Sequence, residues 1–75
     1  MNFFEDELMK EAIREVLRQQ KASTTMLQRR FHIGYNRAKR MIDAMETMGI
    51  ISGKRGYNAR QVIMNERQII QQYFR

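Results

Sequence analysis

Cysteine is absent from this 75-residue chain, which excludes disulfides and thiolate-bound metal. A single histidine, His32, has no clustered partner with which to build a zinc site. Proline is also missing, and there are no repeats, low-complexity tracts or composition breaks to mark a linker. No apolar run approaches the ~18 residues that suggest a membrane span. Phe3 and Phe4 lead at once into Glu5, Asp6 and Glu7, the wrong charge for a secretion signal. Catalytic components are missing as well, since Ser23 stands beside no candidate base. The expectation is one soluble domain of a reducing, cytoplasmic compartment, with no catalytic residues, metal, cofactor or membrane partner. Its fold must rest on an apolar core, which 43% hydrophobic residues can supply.

What is present is positive charge, unevenly spread. Residues 1–20 carry three basic and five acidic side chains. Residues 21–60 carry nine basic side chains against Asp43 and Glu46, a net +7. The remainder holds Arg67, Arg75 and Glu66. A basic centre attracts polyanions and gains affinity by releasing their counterions. Charge alone is equally compatible with a solvated basic surface.

Hydrophobic spacing then orders the elements. Leu8, Met9, Ala12, Ile13, Val16 and Leu17 recur at helical intervals and predict a first helix over 6–19, with acids at its positive end. Lys21 and Ala22 form a short extended link and a candidate minimal strand. Ser23 or Thr24 caps a second helix, over 24–31, whose Leu27 and Phe31 face inward. His32, Ile33 and Gly34 break the pattern. Glycine is expected to supply the positive φ of the turn, Ile33 a plug for the core, and His32 a surface residue. A third helix over 35–48 buries Ala38, Met41, Ile42, Met45 and Met48, and Gly49 ends it as the residue after the cap. Two β-prone runs, 50–52 and 61–64, flank a basic loop and read as a hairpin. Three helices followed by a two- to three-stranded ribbon make a mainly α winged helix-turn-helix. Asn65 and Gln68 then stand in capping-box relation at the head of an extra C-terminal helix over 65–75.

On the third helix Asn36, Arg40 and Asp43 are spaced i, i+4, i+7, on a stripe opposite the apolar face. Arginine pairs bidentately with guanine, asparagine with adenine, and a carboxylate accepts from cytosine N4. These residue types on the second helix of a helix-turn-helix point to base reading in the major groove of double-stranded DNA. Two roles remain open for Asp43: reading a base, or pairing with Lys39 or Arg40 to orient them. Arg29, Arg30, Arg37, Lys39, Lys54, Arg55 and Arg60 are candidate contacts to the DNA backbone, Lys54 and Arg55 also to the minor groove. Tyr35 packs at the start of the reading helix with its hydroxyl free to meet a phosphate.

The stretch from Ala22 to Ala38, and above all Leu27-Gln28-Arg29-Arg30-Phe31, Ile33-Gly34-Tyr35 and Arg37-Ala38, resembles the C-terminal gamma domain of the FtsK/SpoIIIE bacterial DNA translocases. The likeness continues through Arg40, Asp43, Met45, Glu46 and Gly49-Ile50, and spans about residues 6–64. It implies a winged helix that recognises short, oriented, purine-rich chromosomal sequences and so directs a translocase motor in chromosome segregation. It also implies several copies side by side on one site, and contact with a Xer recombinase. The family's base-reading positions fall on Asn36, Arg40 and Asp43, the last standing where some members have glutamate. Three features depart from the pattern. The motor domain with its phosphate-binding loop is absent. The wing ends Ala59-Arg60-Gln61-Val62 where the family usually has Arg-Glu-Val-Leu. The helix over 65–75 has no counterpart in the gamma domain.

That helix carries an apolar stripe of Ile69, Ile70, Tyr73 and Phe74. Two readings stand: docking on the first helix of the same chain, or an interface for a second copy, a recombinase or a motor. The sequence fits a complete small protein of a phage or mobile element and equally an excised domain. The leading expectation is sequence-specific DNA binding. The alternative is a protein-interaction adaptor, or a regulator that self-associates through the C-terminal helix.

Overall fold

The computed structural model describes residues 2–53 and 60–74. In chain order it holds α1 (Met9–Gln19), β1 (Lys21–Ala22), α2 (Thr24–Phe31), α3 (Tyr35–Thr47), β2 (Arg60–Gln61) and α4 (Glu66–Tyr73). This is a winged helix with an added C-terminal helix.

α1 begins three residues later than its periodicity suggests. Asp6 turns its side chain back, and its Oδ1 accepts from the Leu8 amide at 2.9 Å. A carboxylate that satisfies a nearby amide favours a turn over a helix interior, so the acids form an entry turn. Met9, Ala12, Ile13 and Val16 then bury one face of α1, and Gln20 ends it in the left-handed region at φ 56°.

α2 starts as its sequence indicates, with Ser23 Oγ accepting from the Met26 amide at 3.0 Å. The turn that follows differs from expectation. The positive φ belongs to His32, at 53°, while Gly34 is extended at φ −76° and ψ 167°. Histidine is among the residues that enter the left-handed region more readily than most. There the His32 amide reaches the Gln28 carbonyl, and the Ile33 amide reaches the same oxygen at 3.3 Å. Gly34 instead caps α3 from an extended conformation.

α3 buries Ala38, Met41, Ile42 and Met45. It ends in a full Schellman motif, with Gly49 N–H donating to Glu46 O and Ile50 N–H to Met45 O, both at 3.0 Å. Gly49 sits at φ +81°, where a side chain would be strained.

β1 and β2 pair antiparallel, Lys21 opposite Gln61 and Ala22 opposite Arg60. On the other edge of β2 an isolated Ile51–Val62 bridge and the Ser52 N–H to Gln61 O bond at 2.8 Å add the third, minimal strand. Lys54 and Arg55 of the wing lie outside the described residues.

α4 has the capping box its sequence suggests, Asn65 and Gln68 exchanging bonds at 2.8 and 2.9 Å. It docks within the chain, chiefly on the segment ahead of α1 and the end of α3. Ile69 is fully buried. Tyr73 lies edge-on to Phe3 at 6.1 Å, and Phe74 packs on Phe4 at 5.3 Å. The Tyr73 hydroxyl donates to the Met48 carbonyl at 2.6 Å. α1 itself contributes Lys10, whose ammonium stands 6.0 Å from the centre of the Phe74 ring. Of Ile69, Ile70 and Tyr73 on α4 and Phe74 at its C-cap, Ile70 is the exposed one. Among the described residues no helix is long and apolar enough to cross a membrane.

Candidate nucleic-acid interface

The apolar face of α3 faces the core, and this alone decides what the helix offers to solvent. Asn36 and Arg40 are exposed, and Asp43 is half-exposed on the same stripe. The structure therefore brings the three residues that the sequence nominates for base reading to one outward ridge of the second helix of the helix-turn-helix. Tyr35, 54% exposed, stands on the first turn of that helix.

Asp43 is paired on both oxygens. Lys39 Nζ lies 3.0 Å from Oδ2, and Arg60 Nη2 lies 3.6 Å from Oδ1. Arg60 Nη1 also stands 3.4 Å from Glu46 Oε1. The pairing of Asp43 with Lys39 matches one of the two roles open from sequence. The Arg60 side chain is only 15% exposed and turns into α3.

Two further cations are engaged with acids. Arg37 donates Nε and Nη2 to the two oxygens of Asp6, at 2.8 Å each. That fork holds the Asp6 carboxyl below its ordinary range, with Arg40 adding a weaker pull in the same direction. The same bond raises the Arg37 guanidinium. Arg30 reaches Glu15 at 3.4 Å and lies over the Phe31 ring at 5.2 Å. Arg29 is exposed, and Arg30 stays exposed as well despite its contact with Glu15. An open groove between the acidic entry turn and α3 is lined by Glu5, Asp6 and Glu7 together with Arg37 and Arg40.

Sequence spacing did not indicate the buried carboxylate on the scaffold side. Glu15 is 6% exposed and accepts from Arg18 Nη2 at 2.6 Å and from Gln19 Nε2 at 2.9 Å. Those bonds, Arg18 first, lower its pKa to about 2. The Glu15–Arg18 spacing was visible as an i, i+3 pair. The reach to Arg30 on α2 depends on the packed structure.

Among the described residues no grouping of His, Cys, Asp or Glu could hold a metal ion. The site offers hydrogen-bond donors, acceptors and positive charge on a ridge and a wing root. That chemistry suits binding.

The family model described as the Ftsk gamma domain matches residues 4–65, so α4 follows the matched segment. The DNA translocase FtsK of Bacillus cereus is 50% identical over 64 residues, which cover 85% of this chain and 8% of that protein. The DNA translocase SftA of Bacillus subtilis is 52% identical over 66 residues, 88% of this chain and 7% of the relative. SpoIIIE of the same organism, also a DNA translocase, is 48% identical over 61 residues, 81% and 8% of the two chains. The chain thus spans less than a tenth of the length of these relatives.

Proposed function

The chain belongs to the FtsK gamma-domain family, and from that premise we propose that it is a sequence-specific binder of double-stranded DNA. α3 enters the major groove, with Asn36 reading adenine, Arg40 guanine and Asp43 the amino group of cytosine. The observation that carries this reading is the exposed Asn36–Arg40–Asp43 ridge, set opposite the buried face of a helix-turn-helix second helix. Arg29 and Lys39 flank that ridge as phosphate contacts, with Tyr35 at the helix start. Lys54 and Arg55 extend the basic surface from the wing.

The proposed targets are those the sequence resemblance implies: short, oriented, purine-rich duplex sites, read by several copies side by side in the service of a translocase or a recombinase. In this reading the residues matched by the family model supply the DNA-recognition part. Its place is the cytoplasm, at the nucleoid. The adaptor reading through α4 has less support, because Ile69, Tyr73 and Phe74 are occupied by contacts within the chain.

Fluorescence anisotropy against a purine-rich duplex and a scrambled one, at two salt concentrations, tests this function. Preference for the purine-rich site that survives higher salt is the expected result. Equal, salt-labile binding to both duplexes contradicts it, because phosphate contacts alone lose affinity steeply with salt.

A further inference from the structure

Arg60 lies at the root of the wing, where sequence alone groups it with the phosphate-binding cations. Its setting in the structure is different. β2 carries it between β1 and the Ile51 run, and its guanidinium turns onto α3, beside Asp43 and Glu46. With 85% of its side chain withdrawn from solvent (15% exposed), it presents little to a phosphate. Lys39 holds the other Asp43 oxygen, so two cations from different elements bracket one carboxylate of the reading ridge. Gly53 helps to leave room for this arrangement, since a Cβ there would stand 3.1 Å from Glu46 Oε1.

We propose that Arg60 is a positioning residue that sets base specificity through Asp43. A carboxylate facing DNA is repelled by the phosphates, and an adjacent guanidinium offsets that charge locally. Each carboxylate oxygen has two acceptor sites. Lys39 occupies one site on Oδ2 at 3.0 Å, while Arg60 stands beyond hydrogen-bond range of Oδ1 and acts on it through charge, which leaves Oδ1 open to a base amino group. Arg60 also bridges to Glu46 one turn on, which ties the wing root to the C-terminal half of the reading helix. The inference rests on the assignment of Asp43 as a base reader.

The experiment uses the full chain and a duplex panel in which each base pair of the preferred site is replaced in turn. Asp43→Asn, Arg60→Met and Arg60→Lys are compared with the parent by anisotropy at two salt concentrations, after thermal melts confirm folding. Asp43→Asn flattens preference at one base pair. Arg60→Met is expected to reduce discrimination at that same pair by about fivefold or more, the low end of what one base contact contributes. Other positions and the salt slope stay unchanged. Arg60→Lys keeps the charge but cannot set two separate nitrogens beside Asp43 and Glu46, so it loses part of the discrimination at that pair. It carries the test alone if the methionine variant does not fold. A uniform loss on every duplex with a shallower salt slope makes Arg60 a phosphate contact and overturns the proposal, as does unchanged discrimination in both variants. If Asp43→Asn flattens no position, the base-reading assignment of Asp43 fails first and the role of Arg60 falls with it.

Discussion

Arg37 on the first turn of α3 closes a two-pronged ion pair with Asp6, 31 positions earlier in the chain. The pair joins the entry turn of α1 to the start of α3. It also occupies a cation that DNA would otherwise attract. Asp6→Asn should free Arg37 for a phosphate, raising affinity for all duplexes alike and steepening the salt slope by about one. Anisotropy titrations across a salt series read both quantities. Unchanged slope and affinity would mean that Arg37 stays turned away from DNA whether or not Asp6 is charged.

Glu15 makes stability depend on acid. Its folded pKa is about 2, against an ordinary 4.5, because Arg18 and Gln19 hold the charged form. A carboxyl with a depressed folded pKa contributes stability that is fully present above the unfolded value, near 4.5. That contribution is lost as pH falls toward 2. Glu15→Gln should therefore melt below the parent at pH 7, with the gap closing progressively between pH 4.5 and 2. Asp6 is shifted in the same direction, so the difference between parent and variant isolates the Glu15 part. A gap independent of pH would contradict this origin.

The two turn glycines should respond in opposite ways. Gly49 at φ +81° holds the Schellman turn, so Gly49→Ala should cost ~1–2 kcal/mol. Gly34 is extended, with nothing within 4 Å of a built Cβ. Gly34→Ser there supplies an N-cap oxygen and stiffens the unfolded chain, adding about 0.5 kcal/mol. Denaturant titrations with a fixed m-value separate the two.

Ile69 and Ile70 divide the face of α4. Ile69 is fully buried, and Ile69→Ala should destabilise by ~2–5 kcal/mol. Ile70 is 45% exposed, and its alanine variant should fall within ~0.5 kcal/mol of the parent. Sedimentation of both variants checks the internal docking. A change of oligomeric state on Ile70→Ala would restore the interface reading for this helix.

What could be read from sequence and what could not differ by the range of the interactions. Ser23, Gly49 and the Asn65–Gln68 box act on amides within a few positions of themselves, so their roles follow from residue type and spacing. The buried face of α3 follows from periodicity, and with it the outward ridge of Asn36, Arg40 and Asp43. The clasp of Asp6 on Arg37, the reach of Arg30 to Glu15 and the inward turn of Arg60 join residues far apart in sequence. Each turns a cation counted toward DNA into a partner of a carboxylate, and no local pattern shows it. The left-handed turn misled for a related reason. Glycine has the freedom for positive φ, but His32 follows the last turn of α2, where that conformation lets its amide reach Gln28.

The central claim is that the exposed ridge of α3 reads bases, and Arg40→Ala tests it most directly. Anisotropy of parent and variant should be measured on a preferred purine-rich duplex and a scrambled one, each at two salt concentrations. The account predicts a loss of ~1–3 kcal/mol on the preferred site, with little change on the scrambled duplex, so that specificity relaxes. An equal loss on both duplexes, with a shallower salt slope, would make Arg40 a phosphate contact and contradict the assignment of α3 as the reading helix.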